Sequence, residues 1–208
     1  MSLTALDNSD ELPASSPGTV TCSEMPRISL ADLRVRIHEN QTILDHWVKL
    51  QGNNAVALRQ DFDPLEFADA LTHCIIVQAL REQKFKVQLF GTELVNRFGR
   101  DLTGLDLGEI YQGDDLKNTY DRLNTIQSLP AVLRLVSQMQ TAADVWVRLE
   151  FLGLPFANAD GQIDHILLSA FMMPIEMENG VDAQFVSEMP QRRSMEGQLA
   201  LLGEGDPS

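Results

Sequence analysis

Positive charge is scarce in this sequence: 16 Lys and Arg stand against 30 Asp and Glu in 208 residues, a formal net charge of -14. Binding to a phosphate backbone rests on clustered Lys and Arg, so the balance argues against a nucleic-acid partner. It argues in the same way against docking on an anionic membrane surface. The adjacent basic pair Arg192-Arg193 lies in a polar tail and reads as solvated. Cysteine is equally sparse: Cys22 sits in a Ser/Pro/Thr-rich leader and Cys74 inside an apolar run, a poor disulfide pair. No run approaches the roughly 18 apolar residues of a membrane span, and no cationic stretch precedes an apolar one at the N-terminus. A cytoplasmic protein in a reducing compartment is the expectation.

Catalytic signatures are missing too. There is no G-x-S-x-G elbow, P-loop, H-E-x-x-H or kinase signature, so the chain is not expected to be an enzyme. The four histidines, His38, His46, His73 and His165, show no metal-ligand spacing. Asp114-Asp115 reads as a charge pair at a helix N-terminus.

Hydrophobic residues make up 44% of the chain, enough for one domain with a sound core. Residues 1–26 hold four acids, three prolines and no Lys or Arg, the composition of a disordered acidic leader. Residues 176–208 carry seven acids against two arginines and read as a flexible acidic tail. Within it, Ser194–Leu202 could form a short helix with Met195, Leu199 and Leu202 on one side.

Residues 27–51 are predicted as an N-terminal helix started by a Ser29/Asp32 capping box. Leu30, Leu33, Ile37, Asn40, Leu44 and Trp47 recur at alternating three and four residue spacings. That stripe can lie on the chain's own sheet or form the seam of a homodimer, with Asn40 fixing register. Residues 52–175 form the core. Asp63 caps and Pro64 opens a brief helix. His73–Leu80 and Lys84–Leu89 form a hairpin, the second strand alternating through Phe85, Val87 and Leu89. The run Lys84–Tyr111 adds two short helices around a corner marked by Gly91, Gly99 and Gly104. Asp114–Leu129 is an amphipathic helix that stops before Pro130. Three strands follow: Ala131–Gln140, Asp144–Phe156 and Gln162–Met173, the last two joined by an Asn158–Gly161 turn. Segregated helices and strands mean α+β with an antiparallel sheet. Trp146 and Leu152 need cover on its outer face, which the N-terminal helix can supply.

The order β-β-α-α-α-β-β-β resembles a PAS domain, and more narrowly a bacterial PAS-like family of mostly unassigned function with a Trp-bearing first helix. The resemblance rests on His46-Trp47, Asp61-Phe62-Asp63-Pro64, Leu89-Phe90-Gly91-Thr92 and Gly99-Arg100-Asp101-Leu102-Thr103-Gly104, and departs at Gly52-Asn53. It implies a five-stranded antiparallel sheet with short helices on one face, curving around a small cavity used for sensing or signalling.

Flavin-binding PAS domains place a reactive Cys on the helix after the hairpin. Here Thr92–Phe98 has none, which argues against covalent flavin photochemistry. Haem is disfavoured because Asp114–Leu129 holds no axial His. Other cofactors stay open. Candidate cavity residues are Leu89, Val95, Phe98, Leu107, Ile110, Tyr111, Leu123, Leu133, Val147, Leu149, His165, Leu168 and Ala170, with Arg97, Arg100, Arg134 and Arg148 as anchors for an acidic ligand. The expected function is a sensory or regulatory module without an output domain of its own. It would take a small-molecule ligand, an unidentified signalling protein, or both. The alternatives are a structural adaptor with a filled core, or a small enzyme using Tyr111, His165 or an arginine.

Overall fold

The computed structural model describes residues 22–81, 84–143, 145–173 and 196–202. The expected leader falls almost wholly outside these residues, as does most of the expected acidic tail. A turn of 3-10 helix at Cys22–Glu24 precedes β1 (Arg27–Ile28), a second turn at Leu30–Asp32 and α1 (His38–Gln51). β2 (Ala57–Leu58) and a 3-10 turn at Pro64–Phe67 lead into α2 (Ala68–Leu71). The hairpin β3 (Cys74–Ala79) and β4 (Phe85–Phe90) comes next. Then follow α3 (Thr92–Phe98), α4 (Leu107–Ile110) and α5 (Gly113–Ser128). The long strands are β5 (Ala131–Gln140), β6 (Trp146–Ala157) and β7 (Ile163–Met172), and β8 (Glu196–Leu201) closes the described chain.

Five antiparallel strands run β5-β6-β7-β3-β4, as expected. Three short ones enlarge the sheet to eight: β8 pairs with β5, β1 lies parallel to β8, and β2 lies parallel to β6. The expected helix over Ser194–Leu202 is thus corrected to a strand from Glu196. Its backbone is paired along β5, and Leu199 and Ala200 are buried. Gly197 permits this fit, since a Cβ there would stand 2.6 Å from Cε of Met25.

The N-terminal helix begins later than its sequence pattern implies. Ser29 Oγ does donate to Asp32 Oδ2, at 2.7 Å, but that pair braces only the single turn Leu30–Asp32. The chain then runs extended to Ile37, the residue that caps α1 without any side-chain oxygen of its own. Helical continuation from Ser29 loses because the N–H groups of Arg36 and Ile37 are taken by the Glu150 carboxylate on β6.

Two layers cover the sheet. α1 packs on one face over β6 and β7, and α5 packs on the other over β5, β6 and β7. Trp47 is fully buried under α1, and its Nε1–H donates to the Pro155 carbonyl at 2.9 Å. Leu33, Ile37, Asn40 and Leu44 are buried with it, and Leu30 is half-buried. The dimer-seam alternative for these residues is therefore corrected: the stripe faces this chain's own sheet and is closed to a partner helix. Leu152 is fully covered, and Trp146 is half-buried.

The glycine-marked corner is set by close approach. A Cβ at Gly91 would lie 2.2 Å from the Thr72 carbonyl oxygen, so only glycine lets β4 turn into α3 there. Gly99 ends α3 at a φ of 74°, the left-handed conformation of a helix C-cap.

Because Trp47 combines full burial with a satisfied indole N–H, Trp47→Ala is expected to cost about 3–5 kcal/mol. Urea denaturation followed by circular dichroism measures this. A loss below about 1 kcal/mol would show that α1 is dispensable for the sheet.

Candidate functional site

Strand register sorts the candidate residues onto two faces. Leu133, Gly153 and Leu168 lie side by side across β5, β6 and β7. This row faces α5, since a Cβ on Gly153 would sit 3.2 Å from Ile126 Cδ1. Alternation along the strands adds Leu135, Val147, Leu149, Phe151 and Ala170 to the same face. Leu123 from α5 and Leu107 from α4 are buried in the core, and Val95, Phe98, Ile110 and Tyr111 pack half-buried against it. Eleven of the expected cavity residues thus belong to one layer, between the short helices and the sheet.

Leu89 and His165 do not. Leu89 pairs with Ile76, which pairs with Leu167, two residues from the Ser169 that bonds to Asn40 of α1. A register shift between Ile76 and Val77 leaves Gln88 unpaired, so Val87 and Leu89 point to opposite faces despite their spacing. His165 pairs with Gln78 and Phe156 on α1's face, and its Nδ1 lies 2.8 Å from Asp164 Oδ1. Both are corrected from cavity residues to outer-face residues.

The α5 layer is filled at its centre. Leu149 and Ile126 are 0% exposed, Leu123 3% and Leu133 4%. Burial raises the Tyr111 hydroxyl above its ordinary value, with Asp115 adding to the rise and Arg122 opposing it. Open space lies instead at the rim: a shallow depression of about 550 Å³ between α3 and the β5–β6 turn, lined by Glu93, Asn96, Arg97, Thr141, Ala142 and Ala143. Arg97 contributes here, although its Nη1 is buried without a hydrogen-bond partner. Arg100 and Arg148 are exposed on the surface.

Arg134 has a different place. It is 2% exposed on α1's face, and its Nε–H donates to Glu150 Oε1 at 2.7 Å. Glu150, fully buried, also accepts from Arg36 N–H at 3.0 Å, Ile37 N–H at 2.9 Å and Asn40 Nδ2 at 3.1 Å. Asn40 Nδ2 reaches the Glu150 carbonyl as well, and its Oδ1 accepts from Ser169 Oγ. One carboxylate thus caps the N-terminus of α1, holds the extended segment before it and neutralises a buried guanidinium. Arg134 is corrected from ligand anchor to structural partner. The sequence reading missed this cluster. Asn40 in an apolar stripe was its visible trace; Glu150 and Arg134 needed the strand register to meet.

Cys74 carries no reactive thiol. Its Sγ–H donates to the Ala70 carbonyl, and burial pushes the thiol up to about 12. Among the described residues, no group of three or more His, Cys, Asp and Glu is arranged to hold a metal ion.

With this geometry in hand, comparison with known families is decisive at one level. The PAS domain family matches residues 35–169, and the chain belongs to it. The match starts in the extended segment clamped by Glu150 and ends at Ser169. No curated protein matches. The chain is similar to a Rhodobacter sphaeroides LOV protein at 16% identity and a TM-score of 0.41, covering 56% of this chain and 71% of that one. A Vibrio cholera VqmA–ligand–DNA complex is similar at 11% identity and 0.40, covering 54% and 52%.

These side chains give measurable outcomes. Glu150→Leu, which strands a buried guanidinium, is expected to cost about 3–5 kcal/mol in urea denaturation. The double variant Glu150→Leu/Arg134→Met should cost less than the two single changes added together; plain additivity would show that the pair is not coupled. In the native chain at pH 8, DTNB should titrate at most one thiol, and two in guanidine. An unfolded thiol titrates near 9.0 and the folded Cys74 near 12, so its contribution to stability is lost as pH rises above about 9.

Proposed function

We propose that this PAS domain is a non-catalytic, cytoplasmic sensory or regulatory module of bacterial signalling that acts through a protein partner. The observation that carries this reading is the clamp on α1. A helix whose first turn is held by a distant, buried charge has one defined seat on the sheet, and leaving it breaks the whole set of hydrogen bonds at once. That is the kind of two-position element through which an input can be read out. A small ligand would enter at the rim beside Arg97 and Asn96, where space is open, and press on the layer under α3 and α5. Two copies would associate through surfaces other than the buried α1 stripe. The charge of -14 keeps nucleic acid outside the proposal, and both cysteines are free, in keeping with a reducing compartment.

A filled-core adaptor is the second reading, favoured by the close packing of Ile126 against Gly153. Native mass spectrometry of the purified full chain separates the two. The sensor reading expects a dimer carrying a copurifying small molecule that is lost on denaturation. An unliganded mass, with a tight protein partner recovered in a pull-down, would replace it with the adaptor.

A further inference from the structure

We infer that the outer edge of β5 is an acceptor site for an extended strand of a partner protein, held shut by this chain's own β8. The inference rests on the reading that output passes through a protein partner, and gives that partner a place and a chemistry.

The five-stranded core is complete without β8. Of the largest fully buried side chains, Leu199 alone belongs to β8; the others, among them Trp47, Phe85, Ile126, Leu149, Leu152 and Ile166, come from other elements. β8 contributes Leu199 and Ala200, and its main contacts are with β5, β1 and the Leu30–Asp32 turn. An element that brings only Leu199 and Ala200 to the buried core is expected to open locally before the rest of that core does. When it opens, it uncovers an unpaired edge along Ala131–Val136, a template for any extended chain.

The present occupant shows what the seat accepts. Ala131 to Val136 pair in register with Leu201 back to Glu196, so the ladder takes a six-residue antiparallel strand. The residue at position 197 must be small, because Met25 lies against it. Position 199 takes a leucine that becomes 1% exposed, and position 200 a small residue that becomes fully buried. The required pattern is Gly-x-Leu-Ala in an extended segment. On a chain of net charge -14, lysines flanking that segment would be favoured. The tethered β8 competes at an effective concentration on the order of millimolar, so a partner strand must bind more tightly than that to replace it.

Replacement also reaches α1. The Arg34 N–H donates to Gln198 Oε1 at 3.3 Å, and β1 pairs with Leu199 and Ala200. Loss of β8 removes these contacts from residues 27–34, directly ahead of the Arg36 and Ile37 held by Glu150. Strand capture is therefore coupled to the hold on the N-terminal helix.

The probe is a fluorescein-labelled peptide carrying residues 197–202 flanked by lysines, titrated by anisotropy against the full chain and against its Leu199→Asp variant, which vacates the seat. Saturable micromolar binding to the variant, at least ten-fold weaker on the unaltered chain, is expected. Equal affinity for both chains overturns the inference, as does no binding to a variant with a native circular dichroism spectrum. If the variant instead dimerises while ignoring the peptide, the seat takes a second copy and the partner site is overturned. Hydrogen exchange on the unaltered chain is an independent check. Amides of Glu196–Leu201 should exchange at least ten-fold faster than those of Leu149–Leu154, and equal rates refute a seat that opens. A failed peptide titration alongside a ligand found by mass spectrometry removes the strand site alone and leaves the sensor reading intact.

Discussion

The Glu150 carboxylate is the constraint on which the remaining structure depends. Burying a carboxylate costs several kcal/mol even after relaxation. Here four donors from three separate parts of the chain offset that cost: two backbone N–H groups ahead of α1, the Asn40 amide inside it, and the Arg134 guanidinium on the neighbouring strand. Such an arrangement adds little net stability over a hydrophobic equivalent. It does fix position. Sliding α1 by one residue, or β5 by one against β6, would leave an ionised group buried without its donors, an error much costlier than a shifted leucine. Ser169 extends the same specification to β7 through Asn40. We therefore regard the cluster as the device that gives an otherwise greasy interface a single register.

This also explains which parts of the fold were legible in the sequence. Elements governed by local rules were readable: the Asp63 cap, bonded to Leu65 N–H at 2.9 Å, the strand spanning Ala131–Gln140, and the α5 stripe that stops before Pro130. Features set by distant partners were not. The start of α1 moved to His38 because a carboxylate more than 110 residues away takes the N–H groups ahead of it, while the Ser29–Asp32 side-chain pair makes no bond to the backbone it was expected to cap. β8 reads as a helix from the spacing of Met195, Leu199 and Leu202, and became a strand because β5 offered an unpaired edge. At the site, eleven of the thirteen candidate residues lie in the apolar layer under α3–α5. Leu89 was misplaced because a bulge at Gln88 breaks an alternation that looks regular on paper. The polar cluster on the other face was invisible, since nothing in Glu150 or Arg134 alone marks them as partners.

The edges of the sheet carry the remaining logic. A sheet with long, alternating strands must manage its ends or aggregate. At one end, the chain after α3 folds back so that Val87 N–H donates to Leu105 and Gly104 N–H donates to Val87, closing β4 with a piece of loop. That cover is bound into the glycine-marked corner and cannot leave without unmaking it. At the other end, β5 is closed by β8, which brings Leu199 and Ala200 into the core and carries the two-residue β1 on its far side. The two ends are thus protected differently, one by a loop built into the corner and one by a strand from much later in the sequence. Since β8 also touches Arg34 and β1, this end of the sheet and the buried carboxylate lie on one continuous stretch of contacts. A signal delivered at the edge need travel only from Arg34 to Arg36 to reach the group that holds the N-terminal helix in place.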